Sequence, residues 1–358
     1  MPWPGACPSG PQLPAFLPGP CTAAGAPPRI VHSDTAYDMP RGHMMIGVEE
    51  LEAAAAQIAG HVVRTPTLPS PGLTALLGVP VTLKLELLQR SGSFKARGAV
   101  AKLLTLTDEQ RAAGVVAVSG GNHGIAVAEM SAVLGVRATV VMPRTAPARS
   151  VDIARAAGAD VRLTATMAEA FALTEELEAG GLTLLHPFAD PVVIAGQGTV
   201  GLELAADAGP LTDVLVSIGG GGLIAGVAAA LRARRPDVRV WGVETTGADA
   251  MTQALAHGGP VQVDVDSRIT TLGAPTVSPL TYTMVRDLVD EVLVVPEAEA
   301  FAGVRELAEH AKVWAEPAAS CLLPAARRVL TKTGTRTRLG LVICGGNATV
   351  DDVIAYEE

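Results

Sequence analysis

Four short stretches hold residue types that can do chemistry together. The first is Ser91-Gly92-Ser93-Phe94-Lys95-Ala96-Arg97-Gly98-Ala99, a lysine set among an aromatic ring and small residues after the apolar run Val81 to Leu85. A lysine amine kept from water loses basicity and can then condense with a carbonyl, as Schiff-base lysines do. The same stretch also reads as a plain helix start, with Ser91 or Ser93 as cap and Lys95 in solvent. The second stretch is Gly219-Gly220-Gly221-Gly222, between a buried strand pattern and the helical pattern Leu223 to Arg232. Backbone N–H groups at a helix start bind phosphate, and glycine lets the anion come close. The third, Ser119-Gly120-Gly121-Asn122-His123-Gly124, again ends a strand and opens a helix. Its free N–H groups suit a carboxylate, and the Asn122 amide suits a phenolic oxygen. His123 by itself reads as a helix-surface or core histidine. The fourth, Cys344-Gly345-Gly346-Asn347, follows the last core strand, and its thiol by itself reads as a buried core residue.

Stretches so far apart need a scaffold that gathers strand ends. From Val81 onward, short apolar runs alternate with helical patterns, which predicts an α/β fold with parallel sheets and crossover helices. Strands are expected at Val115–Val118, Arg137–Met142, Val161–Leu163, Leu182–Leu185, Asp213–Ser217, Arg239–Val243, Glu291–Val295 and Leu339–Cys344. Helices are expected over Val48–Ile58, Leu73–Leu77, Ala168–Glu178, Ala298–Glu309 and Ala318–Leu330, with others opening near Asn122, Pro147 and after Gly198. The segment Arg64 to Pro69 reads as a stiff extended connection. In an open parallel sheet the carboxyl ends of strands face the ligand, so the glycine-rich ends and Lys95 would line one crevice. A rival reading exists. Gly220-Gly221-Gly222-Leu223-Ile224-Ala225 also fits the loose dinucleotide pattern, and Glu244, 24 residues after Gly220, could take a ribose. That nicotinamide oxidoreductase would leave Lys95 without a task.

Composition narrows the classes. The chain has 358 residues, a net charge of −9 and no cluster of basic and aromatic residues, which argues against nucleic acid as partner. The four cysteines, Cys7, Cys21, Cys321 and Cys344, share no CxxC spacing, so neither a zinc site nor a disulfide framework is indicated and a cytoplasmic location is expected. Mean hydropathy is +0.34, and Val214 to Leu231 is an uncharged run of 18 residues. Its four consecutive glycines cost a helix roughly 1 kcal/mol each relative to alanine, so the run reads as strand, loop and helix, and no membrane association is expected. The first 44 residues hold ten of the 26 prolines and no periodicity. They read as a disordered extension or an over-called start, with Met44 or Met45 as an alternative beginning.

The four motifs, in their order and spacing along the chain, resemble the fold type II pyridoxal-phosphate enzymes, more narrowly the serine/threonine dehydratase and serine racemase group. Val141-Met142-Pro143-Arg144-Thr145-Ala146-Pro147, Arg155-Ala156-Ala157-Gly158-Ala159, His186-Pro187-Phe188, Ala195-Gly196-Gln197-Gly198-Thr199 and Glu316-Pro317 support it, and it spans about Val48 to Val350. The resemblance implies a two-lobed, tryptophan synthase β-like α/β fold, each lobe an open, mostly parallel sheet flanked by helices. The implied division is residues 1-45 as a disordered proline-rich extension, 46-111 with 190-358 as a large cofactor-binding domain, and 112-189 as a small mobile domain closing on substrate.

By the same resemblance, pyridoxal 5'-phosphate is the cofactor and Lys95 the catalytic lysine that condenses with it. Phe94 packs on its ring, Asn122 meets the ring hydroxyl, Gly219, Gly220, Gly221, Gly222 and Leu223 hold the phosphate, and Cys344 stands at the pyridine nitrogen. A thiol there makes a milder electron sink than a carboxylate partner would, which suits elimination. Ser119, Gly120, Gly121, Asn122 and His123 receive the substrate carboxylate. The implied reaction is α,β-elimination of a β-hydroxy amino acid such as L-threonine or L-serine, giving a 2-oxo acid and ammonia. The implied assembly is a homodimer or homotetramer. Rivals are a serine racemase-type enzyme, a β-replacement enzyme, whose lysine motif has a different character, and a non-catalytic binding protein.

Departures from the family pattern carry expectations of their own. Gly120 replaces the serine that racemases of the group use as a second acid/base, so dehydration without efficient racemisation is expected. A divalent-cation site would use Glu244 and Ala248, but Ala250 stands where its last carboxylate belongs, with Asp249 beside it. Thr271-Leu272-Gly273-Ala274-Pro275 lacks the aspartate usual before that glycine, so the substrate can differ from plain threonine. No C-terminal regulatory domain, and hence no isoleucine feedback through one, is expected.

Overall fold

A computed structural model describes residues 45–355, so the expected extension lies outside the described residues except for Met45. The chain enters with α1 (Val48–Ile58), whose Leu51, Ala54 and Ile58 repeat at helical spacing and are buried. β1 (Thr67–Pro69), α2 (Pro71–Leu77) and β2 (Val81–Leu85) follow. α2 stops at Gly78, φ 73°, the left-handed cap that glycine adopts without strain. Short 3-10 turns over 86–92 lead to α3 (Lys95–Leu104) and α4 (Asp108–Ala113). Next come β3 (Val115–Val118), α5 (Asn122–Val133), β4 (Ala138–Pro143), α6 (Ala148–Ala156), β5 (Asp160–Thr164), α7 (Met167–Ala179) and β6 (Thr183–Leu184). The later part holds α8 (Pro191–Asp207), β7 (Asp213–Ser217), α9 (Gly222–Arg234), β8 (Arg239–Thr245), α10 (Ala250–His257), α11 (Pro279–Leu288) and β9 (Glu291–Val295). It closes with α12 (Glu297–Glu306), α13 (Pro317–Ser320), α14 (Leu322–Thr333), β10 (Leu339–Ile343) and α15 (Val350–Ala355).

Two sheets result. One has the order β1-β2-β10-β7-β8-β9, with only β1 antiparallel to its neighbour. The other has the order β5-β4-β3-β6 and is parallel throughout. The α/β class expected from the alternation is the one observed. Val214 to Leu231 divides into the body of β7, the glycine turn and α9, and among the described residues no helix is long and apolar enough to cross a membrane.

Local differences from expectation have packing causes. α8 begins at Pro191 rather than after Gly198, because the Asp190 carboxylate accepts from the N–H groups of Val192 and Val193 and proline fits the first helical turn. The glycines that weaken the helical pattern there are what α8 needs. A Cβ on Gly198 would lie 2.3 Å from Leu51, and one on Gly226 of α9 would lie 2.5 Å from the Gly198 nitrogen. The helix expected over Ala318–Leu330 is broken at Cys321 into α13 and α14. The extended segment before Pro69 contributes the edge strand β1.

Candidate active site

In the larger sheet β2, β10 and β7 are consecutive neighbours, and each ends at one of the chemical stretches. Residues 86–94 turn back after β2 so that the Phe94 N–H donates to the Cys344 carbonyl at 3.0 Å, and Ser93 bridges Gly345. Lys95 is therefore the first residue of α3, at the carboxyl end of β10, with Phe94 rather than a serine at the cap. Its amine donates to the Pro187 carbonyl at 2.9 Å and lies 5.1 Å from the centre of the Phe94 ring. The residue keeps some solvent exposure, yet burial pulls the amine down to about 8, against the opposing pull of Cys344 and Glu316. The reading of Lys95 as a solvated surface lysine does not hold.

Cys344 is buried at the end of β10, and burial, with Glu316 nearby, pushes its thiol up to about 12. It stays a neutral thiol, and the Ser217 hydroxyl at the end of β7 donates to its Sγ at 3.4 Å. The glycine tetrad follows directly. Among the described residues no backbone carbonyl accepts from the N–H of Gly219 or Gly220. Each of the four glycines also has a packing reason. A Cβ on Gly220 would lie 2.1 Å from the Phe188 ring, one on Gly222 3.0 Å from Phe188 Cβ, and one on Gly219 3.3 Å from the Leu272 carbonyl oxygen. Gly221 has φ +89° and abuts Met251 and Thr281. Leu223 is the second residue of α9 and is buried in the core. Close packing thus accounts for part of the glycine run that the sequence suggested was there for an anion.

The end of β3 brings in the third stretch. The Gly121 N–H donates to Ser119 Oγ at 3.2 Å, and Asn122 starts α5. Its Nδ2 donates to both oxygens of Glu316, at 2.7 and 3.0 Å. His123 turns away: it is buried, with Nε2 2.7 Å from the Leu185 carbonyl, and burial beside Lys95 lowers it to about 3. Only its backbone remains available to a carboxylate. His186 accepts from the N–H groups of Phe188 and Ala189 through Nδ1, and burial beside Lys95 lowers it to about 4. Neither imidazole is charged near neutrality.

The sequence motifs did not single out Glu316 as a site residue, although Glu316-Pro317 was among the supporting stretches. A buried carboxylate far along the chain carries no local periodicity that would mark it. Glu244 is fully buried, and its carboxylate accepts from Met251 N–H, Thr252 N–H and the Thr252 hydroxyl, which caps α10. Burial raises it to about 7. It is committed to the helix and is not an exposed ribose ligand, which removes the feature that favoured a nicotinamide cofactor. Ala248 is buried in the turn beside it, and Asp249 accepts from Gln253. Among the described residues no group of three or more metal-binding side chains forms, and the Glu244 carboxylate that the expected cation site would use already accepts from Met251 and Thr252.

The remaining stretches fit the expected cofactor. A desolvated amine, a glycine cradle with unpaired N–H groups, an amide and a neutral thiol converge, and the buried Ser93 hydroxyl, two residues before Lys95, has no partner.

Comparison with known proteins agrees with this chemistry. A family model described as pyridoxal-phosphate dependent enzyme matches residues 58–345. The L-threonine ammonia-lyase of Thermotoga maritima is 38% identical over 318 residues, 86% of this chain and 77% of that protein. The phenylserine dehydratase of Ralstonia pickettii is 39% identical over 82% of this chain and 90% of that protein. The structure of maize serine racemase superposes with a TM-score of 0.81 at 33% identity, covering 87% of this chain and 96% of the other.

Proposed function

The chain belongs to the pyridoxal-phosphate dependent enzyme family, and we propose that within it this protein eliminates water from a β-hydroxy amino acid such as L-threonine or L-serine. The observation that carries the proposal is the Lys95 amine, drawn down to about 8 by burial and held beside the end of β10, where the Phe94 N–H donates to the Cys344 carbonyl. Lys95, with the N–H groups of Gly219, Gly220, Gly222 and Leu223, would hold the cofactor. When bound, pyridoxal phosphate supplies an electron sink that acidifies the α-carbon of an attached amino acid.

The chain's own groups account for the rest. Backbone N–H groups from Ser119 to His123, at the start of α5, receive the substrate carboxylate. The Lys95 amine, with a substantial neutral fraction near pH 8, takes the α-proton. The β-hydroxyl leaves as water by taking up the proton that Lys95 removed from the α-carbon, and tautomerisation and hydrolysis of the released enamine product give a 2-oxo acid and ammonia. With the cofactor bound, the neutral Cys344 thiol would serve as a weak partner for its ring and would leave the electron sink a mild one, which suits elimination. Phe188 and the 186–188 segment lie over the glycine turn and limit water. His123 and His186, both neutral, supply no proton. The same reading takes residues 112-189 as a small domain that closes on substrate, and the protein as a homodimer or homotetramer of the cytoplasm.

The test is 2-oxo acid release across serine, threonine, hydroxyaspartate and aryl-serines of both configurations. At least one L-β-hydroxy amino acid should turn over, and Lys95→Ala should lose ~10³-fold or more, the scale of a lost positioned base. Absence of release from every member of the panel by cofactor-loaded protein would refute the proposal.

A further inference from the structure

We propose that Glu316 and Asn347 are positioning residues that fix which way round the Asn122 amide sits, and hence which of its atoms is offered to the cofactor ring. The inference rests on the reading of Asn122 given above.

An asparagine amide is nearly symmetric in shape, so packing alone does not decide where its nitrogen points. Here hydrogen bonds decide it. Glu316, 4% exposed at the start of α13, accepts from Asn122 Nδ2 through both oxygens, and its Oε2 also accepts from the Asn347 N–H at 3.3 Å. Asn347 Nδ2 donates to Asn122 Oδ1 at 2.8 Å and to the Ser91 carbonyl at 2.7 Å. In this structure the relay runs between a carboxylate that accepts all three of its bonds, although burial raises its pKa, and a backbone carbonyl, which can only accept. Turning Asn347 over would set its oxygen against the Ser91 carbonyl. Turning Asn122 over would set its oxygen against the Glu316 carboxylate and its nitrogen against a donor. Only one sense of both amides satisfies every group.

The backbone is shaped to admit this relay. A Cβ on Gly345 would lie 2.8 Å from Glu316 Oε1. Gly92 has φ +69°, and a Cβ there would lie 2.4 Å from Asn347 Oδ1. One glycine from the lysine stretch and one from the cysteine stretch are thus accounted for by residues to which the reaction gives no other task. The relay also joins the β3 end, in the smaller sheet, to the β10 and β2 ends in the larger one.

The test measures cofactor affinity, together with the position and pH titration of the bound cofactor's visible absorption, in holoenzyme variants. Asn347→Asp is nearly isosteric but puts an acceptor against two acceptors. It should weaken cofactor binding about tenfold, the scale of one hydrogen bond, and move the absorption in the same direction as Asn122→Ala, with a melting temperature close to the parent's. Glu316→Gln, whose Oε1 still accepts from Asn122, should stay nearer the parent than Glu316→Leu. Adding Asn347→Asp to Asn122→Ala should change nothing further. Unchanged absorption and affinity in Asn347→Asp, or an effect fully additive with Asn122→Ala, would overturn the relay while leaving the role of Asn122 intact. An Asn122→Ala variant with the parent's absorption and titration would overturn the role of Asn122 and the relay with it.

Discussion

A Cβ built on Gly120 would lie 2.9 Å from the Ala146 methyl and 3.6 Å from Pro143. Neither neighbour has a flexible end that can move aside, so any larger side chain must shift the loop after β4. The sequence shows only that a serine is missing there; the structure adds that this chain has no room for one. Gly120→Ser alone is therefore expected to misplace the carboxylate-binding loop at a cost of ~1–3 kcal/mol, to lower elimination, and to yield no D-serine. Pairing it with Ala146→Gly should restore elimination; 2-oxo acid release checks the elimination rates, and chiral analysis of the serine pool checks for D-serine. Efficient D-serine formation by the single variant would contradict the packing argument. Lys95 and Cys344 were legible as residue types, but their protonation was not. The depressed amine and the elevated thiol both come chiefly from burial by segments remote in the chain, with Pro187 against Lys95 and Ser217 against Cys344, which no local pattern carries.

At the scale of elements, α3 has to be held so that its first residue points at the strand ends. The anchor is Arg97, two residues on and fully buried. It donates in pairs to Glu86 and Glu203, and Lys84 bonds Glu203 and the Thr65 carbonyl. Burial works against the charge on Arg97, but Glu86 and Glu203 outweigh it and hold the guanidinium above its ordinary value. Burial lowers Lys84 despite the same two carboxylates. Two cations and two anions thus tie β2, α3 and α8 together. Removing one partner from a buried set of this kind costs ~3–5 kcal/mol, because the remaining charges are stranded. Arg97→Met should lower the melting temperature by many degrees and weaken cofactor retention, with Arg97→Lys recovering part of the loss, as thermal melts of the loaded protein will show. A melting temperature within a degree of the parent's would remove the anchor from the account. In the sequence Arg97 looked like part of a motif with no stated task. The strands and most helices were readable from periodicity, whereas the start of α8 was hidden by glycines whose purpose is contact with α1 and α9.

For the molecule as a whole, two sheets are joined around residues from both, and the connection near 186–188 buries two uncharged imidazoles. His123 and His186, at about 3 and about 4, lie below the ordinary 6.5 because burial disfavours their charged forms. Below pH 6.5 the unfolded chain takes up protons that the folded one refuses. Stability contributed this way is complete above 6.5 and is lost as pH falls toward 4. Melting temperature should decline through that range, and the slope should be shallower in His186→Asn, in which one such group is gone; equal slopes would contradict the assignment. That three glycine-rich strand ends and Lys95 line one crevice was expected from α/β logic alone, while the long-range partners Glu316 and Pro187 needed coordinates.

The central claim is a covalent bond between Lys95 and the cofactor aldehyde, and it is tested most directly by borohydride reduction of the cofactor-loaded protein followed by peptide mass mapping. The account predicts loss of the visible absorption and a single reduced-cofactor adduct on the peptide carrying Lys95, absent in Lys95→Ala. An adduct on another lysine, or none on a protein that retains its turnover, would contradict it.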